Sequence, residues 1–261
     1  MADENEKSRS FLGLILIIIL QLAVPALVAN YWYKKTNCSQ KPLKLGIIGY
    51  ICSFLLQKLL IYILGLLAGD HKAVFYTFAT AFPGIFEEAA RFVCFNYFIF
   101  KKNKRKNTSV NYGIGHGGMV SVIDAVIFSI KFFFSRDKEK TLTLCLINAV
   151  EKISKFFYNI SLSILVYKGL RDSNILYFFL AVIFHFIIDF FELMGENEVI
   201  NDILAAIIIF VITLASVGYA YYLYIGMKDV EEGEVENDKS SDKIEKINDT
   251  DNGKSAEESK S

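Results

Sequence analysis

The sequence has few of the residues that build disulfide frameworks or metal sites: four cysteines and three histidines in 261 residues. Cys52, Cys94 and Cys145 fall inside apolar runs and only Cys38 lies in a predicted loop, so they are better interpreted as small packing residues. A His-Glu-x-x-His pair, which binds zinc from one helix face, is absent. We therefore expect neither a disulfide-bonded domain nor a protease of that zinc class, and zinc held by two histidines and carboxylates is the less favoured alternative to a metal-free protein.

Two features of other exported or membrane proteins are also missing. We find neither an internal repeat nor a pair of half-helices at matching positions, which many carriers have. This argues against a small-solute transporter or channel.

The leading segment MADENEKSRS has more acidic than basic residues, and the apolar run after it has no clear small-x-small cleavage site. We expect a retained first span rather than a signal peptide.

The abundant residues are apolar and aromatic: 53% of the chain is hydrophobic, with 23 phenylalanines and 14 tyrosines. A transmembrane helix needs about 20 mainly apolar residues at a rise of about 1.5 Å each. The sequence therefore predicts an all-α fold, a polytopic transmembrane helix bundle of about seven spans within residues 1–227. The predicted spans are 11–32, 43–68, 74–100, 112–134, 141–167, 174–194 and 199–226.

The zero net charge of the whole chain hides an acidic C-terminus. From Lys228 onward there are 12 acidic and 6 basic residues and almost no large apolar side chains. Such a composition buries too little apolar surface to fold, so we predict a disordered, acidic cytoplasmic tail over residues 228–261. Nothing in the tail identifies its partner, and no nucleic-acid partner is expected.

Lysine and arginine are unevenly divided between the two sets of predicted loops. The loops after the first, third and fifth spans contain eleven of them, and the N-terminus with the remaining loops contains six. The richer side is expected to be cytoplasmic. We predict an integral protein of the plasma membrane or an endomembrane, with the N-terminus outside or in the lumen and the C-terminus in the cytoplasm. In that topology none of the sequons at Asn37, Asn107, Asn159 and Asn248 is glycosylated.

Nine formal charges fall inside the predicted spans and away from their ends. Each would cost roughly 3 kcal/mol at a helix centre facing lipid, on the order of 25 kcal/mol in total. We therefore expect these side chains to face the bundle interior and to enclose a polar cavity. They are Lys58, Glu87, Glu88, Arg91, Asp124, Glu151, Lys152, Lys155 and Asp189.

The spacing of the charges agrees with this interpretation. Arg91 is four residues from Glu87 and three from Glu88, so either glutamate could pair with it. His185 and Asp189 are four apart and share a helix face.

Two further helices have polar patterns. His116 lies among four glycines, where the backbone can approach a neighbouring helix closely or break its regular turn. Apart from one adjacent pair, Glu151–Lys152, the fifth span has a polar stripe at intervals of three and four residues. The stripe consists of Asn148, Glu151, Lys152, Lys155, Asn159 and Ser163.

Each pattern alone also has a structural interpretation. Glu88 with Arg91 could hold two helices in register, and His185 could be a satisfied interior polar residue. The glycines around His116 could serve helix packing alone, and the stripe of the fifth span could line a solute path.

Together, the motifs resemble the YhfC family of glutamic-type intramembrane proteases, which are related to the CAAX-processing, bacteriocin-processing and PrsW membrane proteases. The resemblance rests on FEEAARF at 86–92, GIGHGG at 113–118, the segment 151–163 and FHFIIDF at 184–190, in that order on consecutive predicted helices. It covers most of the chain between 74 and 194.

The resemblance implies hydrolysis of a peptide bond in a membrane-embedded or lipidated substrate, in contact with membrane lipid and without a metal. Glu87 or Glu88 would be the general base that deprotonates a water, and His116 or His185 would orient that water or stabilise the oxyanion. The supporting residues would be Arg91, Glu151, Lys152, Asn159 and Asp189.

The sequence departs from the family pattern at four positions. Val120 stands where members have a glutamate, Lys152 replaces an arginine, Lys155 a small residue and Asn159 a histidine. Asparagine binds a water but does not accept its proton at neutral pH. A catalytically impaired member that binds a membrane peptide is therefore the alternative to an active protease.

Overall fold

The computed structural model describes residues 2–68, 71–100, 105–134, 142–197 and 199–228, which form seven α-helices and contain no strand. The predicted all-α fold is confirmed, with one helix for each predicted span. The helices are α1 (Ala2–Thr36), α2 (Lys41–Ala68), α3 (Lys72–Val93), α4 (Asn107–Phe134), α5 (Leu142–Arg171), α6 (Leu176–Glu196) and α7 (Asp202–Gly226), and a π-helical segment (Cys94–Ile99) continues α3.

Parts of several predictions lie outside the described residues. These are the tail beyond Lys228 with its sequon at Asn248, and six basic loop residues, Lys101, Lys102, Lys104, Arg136, Lys138 and Lys140.

Within the described residues, five of the seven helices are long and apolar enough to cross a membrane: α1, α2, α4, α6 and α7. The other two, α3 and α5, contain the dense charged groups Glu87, Glu88 and Arg91 on α3 and Glu151, Lys152 and Lys155 on α5. Five candidate spans establish an integral membrane protein. The crossing of α3 and α5 and the orientation of the termini stay predictions.

The helices surround a central pair. α4 and α5 pack side by side, and α1 contacts both. α2 covers α4, α6 and α7 cover α5, and α3 packs against α2 and α6. Accordingly, half of the most apolar window of α4 is buried, against 22–28% for the other four candidate spans.

The bundle has two ends. At one, which we call the α4–α5 end, α4 and α6 finish and α5 begins, and Lys131 Nζ lies 3.9 Å from Glu196 Oε1. At the other, the α5–α6 end, Lys106 Nζ donates to Met227 O at 3.0 Å and Asn111 Nδ2 donates to Ser39 O at 2.6 Å.

The bundle has an exposed apolar surface, and its interior contains polar side chains as well as an apolar core. Leu66, Leu67, Ile207 and Val211 are more than half exposed, as expected of a surface in contact with acyl chains. Charged and polar side chains are buried instead, among them Glu87, Glu88, Arg91, His116, Asn159 and His185.

Lys58 is a correction to the predicted inward orientation of the nine charges. Its side chain is exposed on α2, with the ammonium 5.3 Å from the centre of the Phe54 ring. A lysine stem is long enough to lie along an apolar helix face while its ammonium extends toward the polar boundary, so a single lysine need not turn inward.

Candidate active site

The buried charges of α3 form a pair one helical turn apart. Glu88 and Arg91 are both fully buried, and Arg91 Nη1 donates to Glu88 Oε1. The second terminal nitrogen, Nη2, donates to Asn159 Oδ1 on α5 at 2.8 Å. Of the two pairings that the spacing allowed, the structure has Glu88 with Arg91.

His185 of α6 contacts both glutamates of α3. Its Nδ1 lies 2.8 Å from Glu88 Oε1, at hydrogen-bonding distance, while Nε2 lies 3.7 Å from Glu87 Oε2. Nε2 also lies 3.6 Å from Asp189 Oδ2. The expected neighbour on its own helix is therefore present, but the hydrogen bond of His185 is with Glu88.

His116 of α4 contacts the other glutamate of α3, Glu87. Its Nε2 lies 3.1 Å from Glu87 Oε2, so a single carboxylate oxygen faces the imidazoles of two different helices. The Tyr50 ring packs edge-on against the imidazole, with ring centres 5.2 Å apart. We call Glu87, Glu88, Arg91, His116, Asn159 and His185 the carboxylate–histidine centre.

Glycine is what lets His116 reach this position. A Cβ on Gly115 would overlap the backbone oxygen of Leu43 on α2, and a Cβ on Gly117 would lie 2.9 Å from Phe156 O on α5. Both helices therefore pack directly against the backbone of α4, which stays helical throughout. Of the two possibilities that the glycines allowed, the structure has close approach.

The remaining predicted site residues form a second group beside the centre. Lys152 Nζ lies 3.3 Å from Asp124 Oδ2, 3.6 Å from Glu151 Oε1 and 2.5 Å from Glu192 Oε1. Lys155 Nζ lies 3.4 Å from Asp189 Oδ1 and pairs with Glu192 Oε2. We call Asp124, Glu151, Lys152, Lys155, Asp189 and Glu192 the ion cluster; Asp189 joins it to the centre through His185.

Glu192 joins two lysines, yet the sequence prediction did not include it. It lies two residues from the predicted end of the sixth span, where a charge needs no explanation. Its position three residues after Asp189, on the face shared with His185, was a usable signal.

The donor atoms of the centre are engaged with one another rather than arranged around a metal ion. Among the described residues, no group of three or more His, Cys, Asp or Glu side chains has such an arrangement. Glu87 Oε2 does meet two imidazoles, but Glu88 Oε1 is already bound by both Arg91 and His185. In this arrangement the donor set forms a hydrogen-bonded network.

The centre differs from a simple buried ion pair because some of its polar atoms have no hydrogen-bond partner among the described residues. These are Glu88 Oε2, Arg91 Nε, His116 Nδ1 and the neighbouring Asp189 Oδ2. Buried polar atoms are normally satisfied, and buried water is a common partner. A carboxylate beside two imidazoles and unsatisfied polar atoms can hold a water and accept its proton.

A comparison with protein families identifies one model, described as YhfC intramembrane metalloprotease, that matches residues 20–210. The match includes both the carboxylate–histidine centre and the ion cluster. No curated protein and no solved structure matches the chain.

Proposed function

Because the chain belongs to the YhfC intramembrane metalloprotease family, we propose that it is an endopeptidase that hydrolyses a peptide bond of a membrane-embedded or lipidated substrate with a water activated by Glu87. The supporting observation is the position of Glu87 Oε2, 3.1 Å from His116 Nε2 and 3.7 Å from His185 Nε2. Three groups of acid–base chemistry thereby meet at one point inside an apolar shell.

Glu87 suits the role of base better than Glu88. The Oε1 atom of Glu88 is held by both Arg91 and His185, which neutralises and fixes that carboxylate. The close contacts of Glu87 are with the two imidazoles, and it is the slightly more accessible glutamate, with 6% of its surface exposed against 0%. Glu88, Arg91 and Asn159 then hold the geometry, while Glu87 exchanges the proton.

The reaction follows from these positions. Glu87 takes a proton from the water as the water oxygen bonds to the peptide carbonyl carbon, and an N–H of His116 or His185 donates to the oxyanion that develops. The C–N bond then breaks, and the proton held by Glu87 passes to the leaving amine. Water and peptide become a carboxylic acid and an amine, and no redox partner is needed.

The family description names a metalloprotease, whereas we propose a metal-free reaction for this chain. The proposal rests on the donor set, in which the carboxylates bond to the imidazoles and Arg91 binds an oxygen of Glu88. Position 159, where the resemblance leads one to expect a histidine, has an asparagine whose oxygen is bound by Arg91. No step is assigned to a metal.

Substitution of Glu87 by glutamine tests the proposal. Glu87→Gln keeps the shape and can keep one hydrogen bond but removes the base, so cleavage of a membrane peptide by the protein in lipid vesicles should fall by at least about 100-fold. Glu196→Gln, the same change at an exposed site, should leave the rate unaltered. Equal rates for the Glu87→Gln and wild-type proteins would contradict the role of Glu87; loss of activity with a chelator, restored by zinc, would contradict the metal-free reaction.

A second candidate function is favoured by Asn159 and Val120. Asn159 accepts from Arg91 and donates to Lys155 O at 3.0 Å, so both ends of its amide have structural contacts, and Val120 is buried and apolar. A protein without these two catalytic groups would bind a membrane peptide and not cleave it. Saturable binding by wild-type protein without any cleavage would favour this function.

A further inference from the structure

Exposure of the ionisable residues falls steadily from the α4–α5 end toward the carboxylate–histidine centre. On α6 the side chain of Glu196 is 57% exposed, that of Glu192 18%, that of Asp189 11% and that of His185 6%. The gradient ends at a buried histidine of the centre.

The same gradient occurs on α4, the helix that presents His116. Lys131 is 69% exposed, Asp124 23% and His116 0%. On α5 the partly exposed Lys152 and Lys155 precede the buried Asn159. On all three helices, α4, α5 and α6, charged residues thus lie between the centre and the α4–α5 end.

The partly exposed charges of the ion cluster face water rather than lipid. A charge in contact with acyl chains is strongly disfavoured, and six of them lie side by side here. Two lysines neutralise only two of the four carboxylates, and Asp189 Oδ2 has no hydrogen-bond partner among the described residues. Water supplies the missing partners at low cost.

The opposite side of the centre is closed by aromatic rings. Phe95 and Tyr112 have ring centres 4.6 Å apart, Phe95 and Tyr167 5.4 Å, and Phe100 and Tyr167 5.7 Å. Phe95, Tyr112 and Tyr167 are fully buried, and Tyr167 donates its hydroxyl to Arg105 O at 3.2 Å. We call these four residues the aromatic seal.

Chain direction places the aromatic seal between the centre and the α5–α6 end. Tyr112 is one turn before His116 on α4, which begins at that end, and Tyr167 is two turns after Asn159 on α5, which finishes there. Phe95 is one turn after Arg91 in the same direction.

We propose that the ion cluster is a water-filled vestibule that opens at the α4–α5 end alone, and that water and the polar backbone of a peptide reach the carboxylate–histidine centre from that one face of the membrane. The proposal holds whether or not the protein cleaves peptides. In it, Asp124, Glu151, Lys152 and Glu192 serve the access of water and peptide to the centre rather than the chemistry.

Thiol labelling tests the sidedness in a full-length chain whose Cys38, Cys52, Cys94 and Cys145 are replaced by serine. Asp124→Cys and Glu192→Cys report on the vestibule. Glu196→Cys and Asp172→Cys, at exposed positions, mark the α4–α5 and α5–α6 ends. Ser163→Cys, one turn beyond Asn159 and fully buried, reports on the space behind the centre. A charged, membrane-impermeant methanethiosulfonate is added to one face of sealed vesicles at a time.

Both vestibule cysteines should react from the face that labels Glu196→Cys, at least about ten-fold faster than from the other face, and Ser163→Cys from neither. Reaction from the face that labels Asp172→Cys, equal reaction from both faces, or no reaction while Glu196→Cys is labelled would each overturn the proposal. Labelling of Ser163→Cys from the α5–α6 face would show that the aromatic seal is open. None of these readouts requires peptidase activity, so failure of the vestibule and failure of the proposed function are distinguishable.

Discussion

Arg91 shows why a buried cation in this bundle needs two partners. Its guanidinium is completely buried and reaches Glu88 on its own helix and Asn159 on another. Arginine suits this task because its planar fork presents several donors in fixed directions, which a lysine ammonium does not. The carboxylate neutralises the charge, and the amide oxygen accepts from the second terminal nitrogen, Nη2.

Replacement of Asn159 by leucine should therefore destabilise the protein. Leucine has a similar volume but leaves Arg91 Nη2 without an acceptor, at a cost of about 1–3 kcal/mol or more for a charged group. Thermal unfolding of the purified protein in detergent measures the loss. Ser161→Ala is the control, because that hydroxyl donates only to Phe157 O within its own helix. If the two variants unfold at the same temperature, the bond between Arg91 and Asn159 adds nothing to stability.

At the level of the helices, close packing of α2 against α4 determines the position of His116. The backbone of Gly115 lies so near Leu43 that a methyl group has no room there. Tyr50, also on α2, packs on the imidazole itself. The spacing between these two helices therefore controls the distance from His116 to Glu87.

Gly115→Ala should separate α2 from α4 and displace His116. We expect a loss of about 1–3 kcal/mol of stability, typical of overpacking, together with reduced peptide cleavage. The matched control is Gly218→Ala on α7, where an added Cβ meets nothing within 4 Å and helix propensity favours alanine by up to about 1 kcal/mol. Unfolding temperatures that fall equally in both variants would argue against the close approach at Gly115.

The helices and their polar faces could be predicted from sequence because hydrophobic length and three- and four-residue spacing are local properties. Each predicted span has a helix, and the inward orientation of Glu87, Glu88 and Arg91 followed from the cost of charge in lipid. The same cost argument was wrong for Lys58, because a long side chain can reach the membrane boundary without turning inward.

Partners between helices could not be predicted, because they depend on how helices rotate against one another. Spacing allowed Arg91 to pair with Glu87 or Glu88, and only the packing of α3 against α5 and α6 decides for Glu88. His185 likewise hydrogen-bonds with Glu88 across helices, although Asp189 is its neighbour in sequence. The π-helical geometry of 94–99 had no signal in the hydrophobic pattern.

At the level of the whole molecule, one polar network connects four helices. Glu87 joins α3 to α4, Glu88 joins α3 to α6, Arg91 joins α3 to α5, and Lys152 joins α5 to both α4 and α6. In lipid, apolar contacts between helices gain little over apolar contacts with acyl chains, so such polar contacts contribute to helix association and specify it. The groups that we assign to catalysis and access thus also hold the bundle together.

The boundary predicted between the bundle and the tail, at residue 227, can be tested because the packing of α7 continues to Met227. The Met227 side chain is 2% exposed, and its carbonyl oxygen accepts from Lys106 at 3.0 Å. The Lys106 ammonium also lies 5.0 Å from the Tyr224 ring centre. These contacts connect the end of α7 to the start of α4.

A chain that ends after Lys228 should therefore unfold at the same temperature as the full-length protein, since all contacts of Met227 remain. A chain that ends after Gly226 loses a buried side chain worth about 1.5–3 kcal/mol and the acceptor of Lys106, so its unfolding temperature should fall. Both truncations remove the acidic residues beyond 228. A difference in unfolding temperature between the two truncated chains therefore reports on the loss of Met227 and not on the charge of the tail. A fall of the same size in both proteins would mean that residues 229–261 contribute to the stability of the bundle, and the boundary predicted at 227 would then be wrong.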